Sequence, residues 1–459
     1  MRLNRRADAA PVARLPGGGG QRRGTPPVTD LARSRRMVLV VIAALAVACG
    51  RDGGETPEPV VEPAADGATA AVQERTSVTE SITGYAGRSR CAGCHETETA
   101  LWRGSHHDLA MARVSEESVL GDFSDTTFAA AGERSRFFRR DGGWWIEITA
   151  EDGPTQTHRV AYVFGADPLQ QYLVEMPDGR LQAYGAAWDT RPAKAGGQRW
   201  FHIYGDDPPR PGESIHWTGI DQNWNYMCAD CHSTGYRKNY DAGADRFASE
   251  WSDIDVACEA CHGPGAAHAA WAEAGADGPD PGFPADLSQE NRRWVSGADS
   301  PTVRAEGDVS RQEVEACGRC HARRTTLREP YAHGRPLADS FMPAFLTEPL
   351  YHPDGQIRDE VYVYGSFLQS RMYAAGVSCG DCHDPHSLQL RAEGDQVCAQ
   401  CHQPAHFEAA GQTRHQPGPD APGCRDCHMP AQTYMAVDPR RDHSFRVPRP
   451  DLAASLGVT

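Results

Sequence analysis

The segment Cys379-Gly-Asp-Cys-His383-Asp-Pro-His386 places two cysteines two residues apart, with a histidine directly after the second cysteine. This C-x-x-C-H pattern occurs seven times in the chain of 459 residues. C-x-x-C-H is the attachment sequence of c-type haem, in which two thiols add to the haem vinyl groups and the histidine supplies an axial nitrogen. The pattern therefore predicts about seven covalently attached haems and a function in redox chemistry.

We number the copies motif 1 to motif 7 in chain order. The cysteines predicted to attach haem c are, motif by motif, Cys91 and Cys94, Cys228 and Cys231, Cys258 and Cys261, Cys317 and Cys320, Cys379 and Cys382, Cys398 and Cys401, and Cys424 and Cys427. The motif histidines predicted to bind iron are His95, His232, His262, His321, His383, His402 and His428. Of the 15 cysteines in the chain, Cys49 alone falls outside the motifs.

A zinc site and a disulfide are the alternatives for any Cys-x-x-Cys pair. The four cysteines of motifs 5 and 6 have the spacing of a zinc ribbon. However, histidine makes up only 19 of the 459 residues, yet it follows the second cysteine in all seven copies. A structural zinc site has no chemical reason to require histidine at that one position, so the sequence favours haem.

The first 83 residues have the composition of an export signal and a linker. Residues 1–36 form an arginine-rich extension whose start is doubtful, and 37–49 form an apolar run that ends at Cys49. A basic region before a short apolar core is typical of a secretory signal. We expect an exported protein, either periplasmic or anchored to a membrane as a lipoprotein through lipidated Cys49, with simple cleavage or an uncleaved anchor as alternatives. Gly, Pro, Ala and Glu dominate 50–83, which predicts a flexible linker.

The spacing of the motifs predicts the fold class. A long stretch without a motif separates motifs 1 and 2, and its β-branched and aromatic runs with Asp-Gly turns predict a small antiparallel β insertion over 137–188. For the rest of the chain we expect short α-helices and loops wrapped around covalent haems, with little regular secondary structure overall. The segment Ser310-Arg-Gln-Glu313 has the pattern of a capping box, which predicts the start of a helix that carries motif 4.

These elements predict three regions after the linker. The first is an N-terminal haem domain over 84–240, which holds motifs 1 and 2 and the β insertion. The second, over 241–309, holds motif 3 and a connecting segment, and the third, over 310–450, holds motifs 4 to 7.

Charge restricts the class of partner. The formal net charge is −16 at pH 7, which argues against binding to nucleic acid. It favours a basic redox protein as partner, with a solvated acidic surface as the alternative explanation of the charge. For the redox partner we expect, for example, a membrane quinol dehydrogenase or another multihaem cytochrome.

The sixth ligand of each iron decides between conduction and catalysis. Twelve histidines remain outside the motifs, so each iron could be bound by two imidazoles, which gives a closed centre suited to electron transfer. An open sixth position would instead allow a substrate to bind. The spacing of these histidines does not indicate which one reaches which iron.

The chain resembles exported multihaem c-type cytochromes related to the tetrahaem acceptor of hydroxylamine oxidation, and proteins with the doubled C-x-x-C-H module. The resemblance rests on the segments Trp102-Arg-Gly-Ser-His-His107, Cys258-Glu-Ala-Cys-His-Gly-Pro-Gly-Ala-Ala-His268, and motifs 5 and 6 with the Asp-Pro-His386 that follows motif 5. Motif 7, which continues as His428-Met-Pro, is similar to segments of multihaem reductases and quinol-dehydrogenase cytochromes.

The resemblance implies a set of distal iron ligands and two possible functions. It implies that His107, His268 and His386 are distal ligands, and it suggests the same role for His415 and His443. The implied function is electron transfer through mostly bis-His haems. The alternative is a haem-dependent oxidoreductase that acts on a small nitrogen or sulfur compound, such as hydroxylamine, nitrite or tetrathionate, at one haem with an open coordination position.

Overall fold

The computed structural model of the protein describes residues 84–151, 153–413 and 421–458. The predictions for the first 83 residues, including the lipidation of Cys49, lie outside these ranges. The prediction that His415 is a distal ligand also lies outside them.

The helices of the described residues are short. They are α1 (Arg88–Ala92), α2 (Glu96–Trp102), α3 (Trp224–Met227), α4 (Ala229–His232), α5 (Cys258–His262), α6 (Ala266–Glu273), α7 (Gln312–His321), α8 (Tyr364–Leu368), α9 (Arg371–Ala374), α10 (Gln396–Ala399), α11 (Pro404–Phe407), α12 (Ala410–Thr413), α13 (Cys424–His428) and α14 (Pro450–Leu456). Single 3₁₀ turns lie at Asp108–Ala110, Ala193–Ala195, Ile220–Gln222, Leu337–Asp339 and Cys379–Asp381. None of the helices in the described ranges is both long and apolar enough to cross a membrane.

The strands form one large sheet and four hairpins. The large sheet contains β1 (Ala112–Arg113), β2 (Thr126–Ala130), β3 (Glu133–Arg140), β4 (Gly143–Ala150), β5 (Thr155–Phe164), β6 (Leu169–Glu175), β7 (Leu181–Ala183), β8 (Ala186–Asp189) and β9 (Arg199–His202). The hairpins pair β10 (Tyr240–Asp241) with β11 (Arg246–Phe247), β12 (Arg292–Ser296) with β13 (Val303–Gly307), β14 (Arg324–Thr326) with β15 (Phe341–Pro343), and β16 (Ala431–Tyr434) with β17 (Asp438–Arg441).

The large sheet is antiparallel and nearly closed. Its strands follow the order β2-β3-β4-β5-β6-β8-β9, with β1 paired to β5 and β7 paired to β6. The end strands β2 and β9 contact each other, so the sheet curls round on itself.

Alternation of side chains gives the sheet its core. In β4, Trp144, Ile146 and Ile148 are buried while the residues between them are partly exposed, the period of two that a sheet with one covered face requires. Phe137 of β3 stacks on Trp200 of β9 with ring centroids 3.6 Å apart. This contact joins strands at opposite ends of the sheet order and fills the space that the sheet encloses.

The prediction of mainly short helices and loops with only a small β insertion was wrong. The insertion was expected over 137–188, whereas the sheet runs from Ala112 in β1 to His202 in β9. The short strands at both ends, such as β2 and β9, have weak local patterns, and their pairing depends on contacts distant in sequence. The expectation of short helices around the motifs agrees with the helix bounds given above.

The predicted helix for motif 4 begins one residue later than its capping pattern suggested. Helix α7 starts at Gln312, and the Ser310 hydroxyl accepts a hydrogen bond from the Gln312 amide at 3.2 Å. The Glu313 carboxylate does not return to the start of its own helix. It binds instead to Ser378 and Gly380, immediately before and within motif 5.

Candidate haem-binding sites

Each motif folds into a single helical turn. In motif 1 the His95 amide donates to the Cys91 carbonyl at 2.9 Å, and in motif 5 the His383 amide donates to the Cys379 carbonyl at 3.0 Å. Positions i, i+3 and i+4 of a helical turn share one face. The C-x-x-C-H spacing therefore presents two thiols and one imidazole on the same side, as one covalently attached haem requires.

The thiols are available for attachment. All fourteen motif cysteines are free of disulfides, although some of them lie beside a cysteine of another motif. Four such pairs lie close enough for one thiol to shift the pKa of the other. They link motif 1 with 3, motif 2 with 4, motif 4 with 5, and motif 6 with 7, and they are Cys91–Cys258, Cys231–Cys320, Cys317–Cys379 and Cys398–Cys424. The structure thus brings the attachment turns together in pairs that the spacing in sequence does not show.

Four motif histidines each face a histidine from elsewhere in the chain. The ring-centroid separations are 6.4 Å for His95–His268 and His107–His321, and 6.5 Å for His262–His386 and His383–His443. An imidazole nitrogen binds a metal at about 2 Å and its ring centroid lies about 1 Å further away, so two imidazoles on opposite sides of one metal have centroids about 6 Å apart. The observed separations fit one iron between each pair.

These four partners are among the five distal ligands that the resemblance implies. His268 lies on α6, directly after motif 3, yet it faces motif 1, whereas His386 follows motif 5 and faces motif 3. His107 precedes a 3₁₀ turn and faces motif 4, and His443 follows β17 and faces motif 5. Iron ligation by these residues stays a prediction, which the pair separations support.

Burial favours the neutral form of several of these imidazoles. Burial, together with the neighbouring His321, lowers the pKa of His107 to about 4. Burial likewise lowers the pKa of His262, His321 and His443. A neutral imidazole is the form that binds a metal, because its free nitrogen lone pair is the ligand.

Backbone carbonyls orient several rings. The Nδ1 atoms of His232, His428 and His443 lie 3.3, 2.9 and 2.9 Å from the carbonyl oxygens of Ala110, Arg446 and Arg441. An Nδ1–H that donates to a carbonyl leaves Nε2 free as the metal-binding atom.

Three motif histidines have no histidine opposite them within the described ranges. The His232 ring of motif 2 instead meets the edge of Phe164, with centroids 5.8 Å apart. The His402 ring of motif 6 meets Phe407 at 5.1 Å. Motifs 6 and 7 lie close in sequence to residues 414–420, which are outside the described ranges. Motif 2 is distant from that segment in sequence and packs on the sheet.

Hydrogen bonds that do not involve the cysteine thiols provide the remaining links between motifs. Arg319 of motif 4 is buried and donates to the Ala260 carbonyl of motif 3 at 3.0 Å. The hairpin β12–β13 joins motifs 5 and 6, because Arg292 donates to Asp381 at 2.8 Å and the Val303 amide donates to the Cys401 carbonyl at 3.1 Å. The seven turns therefore form one series in the order 1–3–4–5–6–7, with motif 2 attached to motif 4.

Two segments of the chain match known sequence families. Residues 372–407 match the doubled CXXCH motif, and residues 213–263 match cytochrome c554 and c-prime. The resemblance inferred from the motifs is confirmed by these matches. No curated protein sequence matches the chain at a significant level.

Two solved structures are similar to the protein. The outer cell wall cytochrome OcwA is 18% identical with a TM-score of 0.49, and the similarity covers 82% of each chain. The octaheme sulfite reductase MccA of Wolinella succinogenes is 15% identical with a TM-score of 0.36, covering 80% of this chain and 58% of that one.

Proposed function

Because the chain is a multihaem c-type cytochrome, we propose that it transfers electrons through about seven covalently attached haems, most of them bound by two histidines. The observation that carries the proposal is the continuous series of attachment turns. Every motif is joined to at least one other motif by hydrogen bonds between the turns or the residues that flank them. A single redox centre has no need of such a series.

Haem c supplies reversible one-electron redox chemistry when it is bound. The motif cysteines would hold it covalently, and the facing histidines would supply a second imidazole nitrogen at four of the sites. Burial lowers the pKa of His107, His262, His321, His383 and His443, which favours the neutral form that binds a metal. The chain therefore contributes attachment, closed coordination and close spacing, which are the requirements of a conductor.

Haem content and electron capacity test this function together. The mass of the intact protein and its pyridine haemochrome spectrum give the number of haems per chain, and a titration with dithionite gives the number of electrons accepted. We expect about seven haems and about seven accepted electrons per chain. We also expect the reduced protein to release these electrons to an oxidised small c-type cytochrome. A chain that accepts one electron, or that retains them all, contradicts the proposal.

One observation favours a second function at motif 2. His232 faces the edge of Phe164, and the described residues place no histidine opposite it. An iron held there by His232 alone would have an open position, as reduction of a small nitrogen or sulfur compound requires. The test is a high-spin electron paramagnetic resonance signal from one haem. Its presence in the wild type and its loss in the variant Cys228→Ala/Cys231→Ala, which removes motif 2, would support this function. Absence of the signal in the wild type would exclude it.

We further propose export, with a tether through lipidated Cys49 and delivery of electrons to or from other redox proteins. The apolar run 37–49 after an arginine-rich segment supports this location. Fractionation of cells that produce the wild type and Cys49→Ala tests it. We expect the wild type in a membrane fraction and the variant in a soluble exported fraction; wild type in the cytoplasm contradicts it.

A further inference from the structure

Each pair of motifs with neighbouring thiols also shares one carboxylate, which crosses from one attachment turn to the other. Glu259, at the second position of motif 3, has the most complete set of contacts and is only 1% exposed. Its carboxylate accepts hydrogen bonds from the amides of Ala86 and Gly87 at 2.8 Å each, directly before the helix of motif 1. It also accepts one from Gly265 at 2.7 Å, just after its own motif.

Glu313 makes the same kind of contact between motifs 4 and 5. It lies four residues before Cys317 on α7 and accepts hydrogen bonds from the Ser378 hydroxyl at 2.7 Å and from the Gly380 amide. Ser378 precedes motif 5, and Gly380 is its second residue. A carboxylate from one turn therefore occupies the amide end of the next turn, where a negative charge is stabilised.

Motifs 6 and 7 are joined by Asp395, which precedes the helix of motif 6. Its carboxylate accepts a hydrogen bond from the Cys424 amide, the first residue of motif 7, at 2.6 Å. Between motifs 2 and 4 the carboxylate is Asp230 of motif 2, and it reaches motif 4 through arginines. Arg319 and Arg324 donate to it at 3.3 and 2.6 Å.

We infer that Glu259, Asp230, Glu313 and Asp395 are positioning residues, which hold neighbouring haem-attachment turns in contact and so set the rate of electron exchange between them. The inference rests on the proposed electron-transfer function. Each of the four thiol pairs coincides with one such carboxylate, although the carboxylates come from four different positions relative to their motifs. We call these four residues the bridging carboxylates.

The physical basis is the strength of a hydrogen bond to a buried charge. Removing a charged acceptor leaves the backbone amides of the neighbouring turn unpaired, and it weakens the association of the two turns by about tenfold or more. Electron exchange depends steeply on the distance between redox centres. Loosening a pair of turns should therefore slow exchange across that pair and leave the remaining pairs unchanged.

The matched control is Glu273, which also connects motif 1 to the segment after motif 3. Glu273 lies at the end of α6 and binds Arg90 of α1 through two hydrogen bonds, at 3.0 and 2.7 Å, but its side chain is 60% exposed. An exposed ion pair is worth little in water. Glu273→Gln should therefore change neither haem content nor exchange, although it removes the same charge from the same region.

The test uses the full-length protein with all its haems. Haem content is counted first, and the exchange rate between the sites of motifs 1 and 3 is then measured after a flash of photoreduction. Their magnetic interaction is measured by electron paramagnetic resonance. We expect Glu259→Ala to slow exchange by about tenfold and to weaken the magnetic interaction, with Glu259→Gln intermediate and Glu273→Gln equal to the wild type.

Two outcomes overturn the inference, and both differ from failure of the proposed function. If wild type exchanges electrons and Glu259→Gln does so at the same rate with the same magnetic interaction, Glu259 is not a positioning residue. If Glu259→Ala does not fold, the same measurement is made on Glu313→Gln. An unchanged rate of electron exchange between the sites of motifs 4 and 5 in that variant rejects the inference. Absence of exchange in the wild type would instead refute the electron-transfer function itself.

Discussion

His107 and His321 face each other with ring centroids 6.4 Å apart, although one follows motif 1 and the other ends motif 4. The pKa of each imidazole is lowered by burial, which favours the neutral form that binds a metal. Such a pair ties distant parts of the chain together once an iron lies between its nitrogens. The account of electron transfer depends on closed sites of this kind.

Replacing His107 with alanine should open one iron without removing a haem. The His107→Ala variant should keep its haem content and gain one high-spin signal, together with carbon monoxide binding in the reduced state, because an imidazole no longer fills the sixth position. Optical and electron paramagnetic resonance spectra measure both. The adjacent exposed residue provides the control, since His106→Ala should retain the wild-type spectra, and a low-spin spectrum in His107→Ala would rule out His107 as a ligand.

The core of the closed sheet should be sensitive to a single truncation. Phe137 is fully buried and stacks on Trp200 at 3.6 Å, so Phe137→Ala should lower the free energy of unfolding by about 3–5 kcal/mol. Thermal unfolding monitored by far-ultraviolet circular dichroism measures the change. Phe138, its neighbour on the more exposed face, is the control, and Phe138→Ala should cost clearly less. Equal losses for the two variants would mean that this stack does not stabilise the sheet.

A buried carboxyl predicts the pH dependence of stability. The pKa of Asp255 is raised to about 7. Burial is the largest cause, and the nearby Asp253 and Asp108 also raise the pKa, whereas the attraction of Arg88 lowers it by less. The folded protein therefore holds a proton that the unfolded chain releases near pH 4, and the stability that this proton contributes is lost as the pH rises from about 4 through about 7.

The variant Asp255→Asn should flatten the dependence of unfolding free energy on pH across that window. Denaturant unfolding at several pH values measures it. Asp245 is the control, because a hydrogen bond from Tyr240 and the charge of Arg180 lower its pKa. Asp245→Asn should leave the slope of unfolding free energy against pH unchanged across that window, because the stability that ionised Asp245 contributes is lost only at more acidic pH. If Asp255→Asn shows the same slope of unfolding free energy against pH as the wild type, Asp255 is not the group responsible for the pH dependence.

The attachment turns could be predicted from the sequence because their chemistry is local. Positions i, i+3 and i+4 fall on one face of a helical turn wherever that turn lies, so the cysteines and histidine of each motif needed no tertiary information. The partners of the motif histidines required more than spacing. His268 follows motif 3 but faces motif 1, and only the resemblance to known cytochromes indicated its role.

Neither the closure of the sheet nor the bridging carboxylates could be predicted from the sequence, and the physical reason differs between the two. Closure of the sheet depends on contacts between distant strands, such as Phe137 with Trp200, which leave no local signal. The pattern C-x-x-C-H accepts any residue at its two middle positions, so nothing marks Glu259 or Asp230 as special. Glu313 carried a signal, but the signal was that of a helix cap, and the structure uses its carboxylate to reach motif 5.

The measurement that tests the central claim most directly is electron injection at one end of the series. A photosensitiser attached to an Ala431→Cys variant, three residues after motif 7, delivers electrons there, and transient absorption follows their spread. The account predicts that all the haems share the injected electrons. It also predicts that a second change, Cys379→Ala with Cys382→Ala, which removes the haem of motif 5, confines the electrons to the sites of motifs 6 and 7. Spread to the sites of motifs 1 to 4 at the original rate in the variant without motif 5 would contradict the account.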